Sequence, residues 1–340
     1  MKILPIERDL AQARDYLNER SLQVGRILPI GDDLLGEFFA TGNSYVLKKG
    51  RVVDALFSYN AGREKQAPTA RFRVVTDSVS GLKEATRLVE ETAVAGEKIV
   101  LRTNVFGYDK KRLQALKALG YVVGASLPGV VSLDGRRFDY HLLYKDLSSR
   151  YKPGIRRSYA KPGLYKAVEI EKAKTPKLKI RGYRSDDRPI LDKFVTHQNV
   201  IRGIGSGVFE GLYPWPPSDY QRRVESKQIF PIVCEDELIR EPVGVVDLFG
   251  SFAQVMQHSM GIGIYVRADY QGLGVGTMLM EASKTLAMRL HLGAVWLSVF
   301  EGNGPALALY RKTGFEESGR VPGWLQEGYV DEIFMTLKLE

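Results

Sequence analysis

The sequence predicts an α+β (mixed α/β) fold made of two similar halves, each a mixed, mostly antiparallel sheet flanked by helices. Three observations predict it. At 340 residues the chain is longer than one ordinary core accommodates. Hairpin patterns alternate with strand–helix–strand crossovers, a mixture that neither a purely parallel nor a purely antiparallel fold supplies. Residues 99–121, IVLRTNVFGYDKKRLQALKALGY, align without a gap with residues 293–315, GAVWLSVFEGNGPALALYRKTGF. In that alignment Val105-Phe106 meets Val299-Phe300, Leu113 meets Leu307, and Gly120-Tyr121 meets Gly314-Phe315. Further on, Leu127-Pro128-Gly129 meets Val321-Pro322-Gly323 and, after a two-residue shift, Phe138-Asp139 meets Val330-Asp331. Solenoid repeats recur every ~20–50 residues, so a spacing of 194 indicates a duplicated domain. The expected organisation is a first domain over 1–149, a basic linker over 150–176 and a second domain over 177–340.

The elements of the second half follow from local signals. Residues 178–183 alternate as a strand. Asp186 and Asp187 cap a helix from 188 to 197. A loop dense in Gly, Pro and aromatic residues follows, and then a helix to 226. Residues 230–234 and 243–249 form a hairpin around the polar turn 235–241. Residues 260–266 form a strand that feeds a glycine-rich loop. The helix over 277–291 carries Leu279, Ala282, Leu286 and Leu290 on one face, with Gly293 past its end. Residues 295–299 form a strand, 305–312 a helix with Pro305 in its first turn, and 334–339 the closing strand.

Composition narrows the function classes. With 44% hydrophobic and 26% charged residues the chain is ordinary globular protein. No run approaches the ~18 apolar residues of a membrane span. The start, MKILPIERDL, does not read as a signal peptide, and the single cysteine, Cys234, fits a reducing cytoplasm. Four scattered histidines give no metal-ligand spacing, so no metal is expected. The net charge of +9 is unevenly placed: residues 150–184 hold twelve Lys and Arg against Glu169 and Glu171, while 185–340 are net acidic. The basic stretch, punctuated by Pro153, Gly154, Pro162, Gly163 and Pro176, reads as a solvated linker rather than a nucleic-acid arm.

The stretch 269–280, DYQGLGVGTMLM, brings Gly272, Gly274 and Gly276 to the start of a helix. Bare backbone there suits a phosphate, because unpaired N–H groups and the helix dipole favour an anion. The P-loop pattern fails because no lysine follows Gly276; the dinucleotide pattern fails because Thr277 stands where its third glycine should be. What remains is Gln271-x-x-Gly274-x-Gly276. Downstream runs Asn303-x-x-Ala306-x-x-Leu309-Tyr310-x-Lys312-x-Gly314-Phe315. The two motifs, in this order with a helix and a strand between them, resemble the acyl-CoA signature of the GNAT superfamily of N-acetyltransferases. The resemblance covers about 177–340. The ending Tyr329-Val-Asp331-Glu332 resembles members that acetylate small amines, amino acids or protein N-termini. Opposite the glycine loop the first half has Asp77-Ser-Val-Ser-Gly81-Leu82, opposite Asn303 it has Asp109, and opposite Tyr310 it has Leu116. The whole chain is thus similar to tandem GNAT proteins in which one copy keeps the acyl-CoA site.

The resemblance implies an acetyl-CoA-dependent N-acetyltransferase in which an amine attacks the thioester directly. Acetyl-CoA would be held by Ile264, Tyr265 and Val266 along the pantetheine arm. Gln271, Gly272, Leu273, Gly274, Val275, Gly276 and Thr277 would wrap its pyrophosphate, with Asn303 beside them. Tyr310 is implied as the acid that protonates the leaving thiolate. The base is open, because the strand before the loop carries no carboxylate; His258 and Asp331 are the candidates, with Glu332 and Asp247 as rivals. Asp331 and Glu332, as neighbours on a strand, face opposite ways. Phe209, Glu210, Tyr213 and Trp215 in the aromatic loop are expected to line the acceptor site. The acceptor is expected to be a small-molecule amine, and the protein a monomer or homodimer. A protein lysine or N-terminal acetyltransferase is the alternative enzyme; a non-catalytic acyl-CoA sensor or nucleic-acid adaptor is the alternative of another class.

Overall fold

The computed structural model describes residues 2–26, 43–60, 69–150, 171–197, 217–251, 253–325 and 328–339. The chain forms two compact units. The first comprises Met1–Ser126, Val131–Ser158 and Ala253–Val255; the second comprises Leu127–Val130, Tyr159–Phe252 and Met256–Glu340. The basic linker expected over 150–176 lies largely outside the described residues.

In the first unit the strands are β1 (Lys2–Pro5), β2 (Ser44–Lys49), β3 (Val52–Asn60), β4 (Thr69–Val75), β5 (Val100–Phe106), β6 (Val122–Leu133) and β7 (Arg136–Asp146). The helices are α1 (Leu10–Glu19), α2 (Val79–Ala95) and α3 (Lys110–Ala118). The strand order is β1-β2-β3-β4-β5-β7-β6. Helix α2 buries Leu82, Ala85, Val89 and Ala93, spaced at one helical face, against Phe57, Phe72 and Leu101 of the sheet. Strands β6 and β7 are joined through Asp134-Gly135, both at positive φ, the pairing a tight hairpin turn selects.

The second unit runs β8 (Leu178–Gly182), α4 (Arg188–His197), α5 (Pro217–Glu225), β9 (Ile229–Asp236), β10 (Glu241–Gly250), β11 (Ser259–Val266), α6 (Val275–Arg289), β12 (Ala294–Phe300), α7 (Gly304–Lys312), β13 (Glu316–Leu325) and β14 (Gly328–Lys338). Its strand order is β13-β14-β12-β11-β10-β9-β8, antiparallel except where β11 meets β12. Both faces are covered. Helix α6 packs Val275, Leu279 and Met280 against Val246, Leu248, Val295 and Leu297. On the other face Leu191 of α4 and Tyr220 of α5 pack on Val233 and Val245.

The parallel pair positions the site. Strand β11 keeps register with β12 over only Ser259↔Ala294, Met260↔Val295 and Gly261↔Trp296. Beyond Gly261 the strands part, while β11 stays paired with β10 up to Val266↔Gly244. The sheet therefore opens on one side of β11, ahead of the glycine loop. In the first unit β4 and β5 do the same, with register only over Thr69↔Val100, Ala70↔Leu101 and Arg71↔Arg102. The order strand, helix, strand, strand after this parting recurs too, and α3 and α7 both lie 194 residues apart at each end.

Element edges differ from the sequence reading in two informative places. Helix α6 begins at Val275, not 277, because Gly274 (φ +90°) serves as its N-cap without a side chain to announce it. Strand β14 begins at Gly328 rather than 334, paired along its length with β13.

Close packing of α6 on β10 depends on Gly244. A Cβ there would stand 2.7 Å from Val275 Cγ1 and 2.9 Å from Leu279 Cδ1, both in the core. Gly244→Ala is expected to lower stability by about 1–3 kcal/mol. Gly182→Ala, with nothing within 4 Å, should leave the melting temperature nearly unchanged. Equal melting of the two variants would contradict this packing.

Candidate functional site

The site lies at the mouth opened between β11 and β12. The turn Arg267–Gln271 closes the end of β11 and is braced from several sides. Arg267 pairs with Asp269 (2.9 Å) and Glu241 (3.1 Å) and stacks on the Tyr270 ring. The Tyr270 hydroxyl donates to the buried Asp236 carboxylate (2.7 Å). The Lys172 ammonium and the Ala173 N–H donate to the carbonyls of Ala268 and Asp269. The Gln271 side chain donates back to the Val266 carbonyl (3.3 Å), so the loop leaves the strand at a fixed angle.

Gly272 (φ +82°) and Gly274 (φ +90°) hold backbone conformations that L side chains rarely adopt, and nothing lies within 4 Å of where their Cβ atoms would be. Conformation, with open space in front, explains these two glycines. Gly276 has a different reason: its Cβ would sit 3.0 Å from Leu309 Cδ2, so it lets α6 and α7 approach. The first turn of α6 carries N–H groups with no intrahelical acceptor, aimed at the open space before Gly272–Thr277. Ile264, Tyr265 and Val266 lie on β11 beyond its last residue in register with β12.

Asn303 is buried and caps α7, its Oδ1 accepting from the Ala306 N–H (3.3 Å). Asp109 caps α3 in the same way (3.1 Å). Capping accounts for the oxygen of Asn303, while its amide N–H groups remain for a ligand. Tyr310, on α7, is buried and packs on Phe315 with ring centroids 6.2 Å apart. Burial raises its phenol above the ordinary range, so the group stays protonated, as an acid must before it acts.

The register sorts the remaining candidates by face. Residues directly opposite in a sheet share a face. Asp247 lies opposite Gly263, and Val245 opposite Tyr265. Phe300 lies opposite Glu332. These residues occupy the face covered by α4 and α5, away from α6. Asp247 is 3% exposed and accepts a hydrogen bond from the Tyr220 hydroxyl (2.7 Å). Burial pushes its carboxyl up to about 7, against the opposing pull of Tyr220 and of Arg188, whose guanidinium stacks on the Tyr220 ring. The phenol of Tyr265 is raised by burial, then by the nearby Asp247 carboxylate and the Tyr310 phenol. Asp247 and Tyr265 lie on the same face of the sheet, while Tyr310 belongs to the core packed by α6.

The structure does not bring His258 there. It precedes the paired start of β11, about 25 Å of strand from Val266, with its Nε2 at 2.8 Å from the Gly129 carbonyl. Asp331 shares the alternation of Ile333 and Met335, on the face packed by α6, and its carbonyl accepts from the Glu301 N–H. Buried Glu332 lies on the face of Asp247 instead. Phe209, Glu210, Tyr213 and Trp215 lie outside the described residues. Cys234 is buried, its thiol pushed up to about 11, and is no nucleophile. No group of His, Cys, Asp and Glu among the described residues is arranged to hold a metal ion, and no described helix is long and apolar enough to cross a membrane.

At the corresponding place the first unit has filled its own helix start. Ser78 caps α2, accepting from the Gly81 N–H (3.0 Å). Asp77 accepts from Gln23 and pairs with Arg20 (2.7 Å each). Gln23 in turn accepts from the Thr76 N–H and from Arg112. The helix start of the first unit is thus capped by a side chain, whereas that of α6 is capped by Gly274.

The model of the acetyltransferase (GNAT) family matches residues 203–315. An L-methionine sulfoximine/L-methionine sulfone acetyltransferase of Pseudomonas paraeruginosa is 30% identical over 122 residues, 34% of this chain and 69% of that protein. The chain belongs to the GNAT family of acetyltransferases. An N-alpha-acetyltransferase RimI of Mycobacterium tuberculosis is 27% identical over 137 residues, 40% of this chain and 84% of that one. A spermidine N-acetyltransferase from Vibrio cholerae, solved with CoA and spermine, aligns at 20% identity with a TM-score of 0.41, over 48% of this chain and 95% of its own. In this GNAT chain the match lies in the second unit, with the glycine loop and Tyr310 inside it.

The environment of Asp247 has a measurable consequence. Its carboxyl is raised from 3.8 to about 7, so the folded protein favours the neutral form. The stability this gives is complete below the unfolded value and is lost as pH rises through about 7. Asp247→Asn keeps an acceptor for Tyr220 but cannot ionise. Its stability relative to wild type should therefore climb between pH 5 and pH 8.5, by about 1–4 kcal/mol. A difference independent of pH, in melting at several pH values, would contradict the placement of a neutral carboxyl here.

Proposed function

We propose that the second unit transfers the acetyl group of acetyl-CoA to a small amine, and that the first unit is a degenerate copy that no longer holds acyl-CoA. The observation that carries the reading is the early end of the β11–β12 register directly ahead of Gly272–Thr277. A cofactor with an amide-rich arm and a pyrophosphate suits both features: the arm runs along β11 beyond Gly261, where the register with β12 has ended, and the pyrophosphate meets the first turn of α6. The site offers binding and orientation from Ile264–Val266 and Gly272–Thr277, with Asn303 beside them. A backbone N–H at the opened edge of β11 can face the thioester oxygen as negative charge develops there.

The amine attacks the thioester carbonyl, the C–S bond breaks, and the thiolate takes a proton from Tyr310. An alkylamine of pKa ~10 is only about one part in a thousand neutral at pH 7, so removing its proton is a substantial share of the work. Asp247 is the best-supported base. It lies on the acceptor face beside Gly263, and a carboxylate titrating near 7 is better matched to amine deprotonation than one near 4. It takes the proton directly or through one water. The names of the relatives support amino-acid-like or protein N-terminal acceptors as well as a free amine.

The test is thiol release from acetyl-CoA across an amine panel, followed by two variants. Tyr310→Phe should lower kcat by about 100-fold while acetyl-CoA affinity stays within twofold. Unchanged turnover, with chemistry limiting, would reduce Tyr310 to packing. In wild type the acidic limb of kcat/KM should fall with an apparent pKa near 7, and Asp247→Asn should remove that limb with most of the activity. A limb that survives in Asp247→Asn would assign the base elsewhere.

A further inference from the structure

Resting on the acetyl-transfer reading, we infer that Gly263 floors an acceptor slot one carbon chain wide, and that the amine this enzyme acetylates sits on an unbranched carbon. Gly263 is in the interior of β11, where glycine weakens a strand by leaving nothing to pack. Its own surroundings do not demand glycine. It does not have positive φ, and among the described residues a Cβ there would meet only Phe249 Cε1 at 3.9 Å and Tyr265 Cε2 at 4.0 Å, ordinary contacts. Gly261 is the contrast: a Cβ there would lie 2.3 Å from the Phe249 ring, so packing explains that glycine. An interior strand glycine with room for a methyl group marks a surface kept bare for something that approaches the backbone.

The walls define what can approach. Phe249 stands over Gly261, two residues before Gly263, and is held edge-on against Trp296 with centroids 5.8 Å apart. Tyr265 stands two residues after. Neither ring edge is more than 4.0 Å from the Cβ position of Gly263, so the two edges are at most about 8 Å apart. Carbon contacts each take about 4 Å, so the gap between the rings admits no more than a single file of methylenes. A carbon with a branch directed across the slot would press within about 3 Å of one of them. The slot runs from Asp247, directly opposite Gly263, toward the side of β11 that lies beyond its register with β12, where the thioester is expected. An aminomethylene group lying in it would place its nitrogen between the carboxylate that takes the proton and the carbonyl that is attacked. The recognised class is therefore a primary alkylamine such as a diamine, or the side-chain amine of lysine, in preference to an α-amino group.

L-Lysine tests this within one molecule, because it carries one amine of each kind. Wild-type protein is incubated with acetyl-CoA and L-lysine, cadaverine, butylamine, sec-butylamine or L-methionine sulfone, with thiol release and the acetylated nitrogen read by mass spectrometry. The slot predicts Nε-acetyl-lysine, and butylamine preferred over sec-butylamine by at least tenfold in kcat/KM. Gly263→Ala should raise KM for the favoured amine at least tenfold, with melting temperature and acetyl-CoA affinity unchanged. Phe249→Leu, which widens the slot, should narrow the preference for butylamine. Acetylation at Nα, or an unchanged KM in Gly263→Ala, overturns the slot and leaves the acetyl-transfer reading standing. No transfer to any of these amines overturns the slot together with the amine-acceptor reading; calorimetry with acetyl-CoA then shows whether the cofactor reading falls too.

Discussion

The constraint on which the site depends is the three-residue limit of the parallel pairing between β11 and β12. A strand inside a sheet normally spends its N–H and C=O groups on both neighbours, and buried groups left without partners are costly. Here β11 holds β10 to its end and leaves register with β12 after Gly261, so the sheet opens between these two strands. The proposed site is arranged around that opening. The glycine loop and the start of α6 follow the end of β11, and Asp247 and Tyr265 lie on the face away from α6. A sheet paired throughout would leave the glycine loop with nothing to serve.

The same short register occurs between β4 and β5, with different residues around it. Leu116 is buried where the second unit has Tyr310, and the start of α2 is capped by Ser78 and faced by the Asp77, Arg20 and Gln23 network. Packing positions such as Val105, Phe106 and Tyr121 stay buried. Backbone topology thus outlasts ligand chemistry, because the core that sets the strand order is separate from the few polar groups that meet a ligand.

Much of this was legible in the sequence. The duplicated 194-residue spacing survives as α3 and α7 with matching ends, because apolar alternation and the caps Asp109 and Asn303 are local signals. The glycine loop was legible because positive φ is written in the residue type. The base was not. A carboxylate's burial depends on what packs on it, and the hydroxyl of Tyr220, 27 residues away, is invisible to local pattern. Hence Asp247 stood only among rivals to His258 and Asp331. Strand alternation did separate Asp331 from Glu332, but only the register with Phe300 tells which of them shares the face of Asp247.

The most direct measurement of the central claim is calorimetric titration of the full chain with acetyl-CoA. The account requires one site per chain, abolished by Gly274→Glu, which puts a carboxylate in the pyrophosphate's place, and untouched by Ser80→Glu at the matching position of the first unit. Two sites per chain, or binding that survives Gly274→Glu, would contradict it.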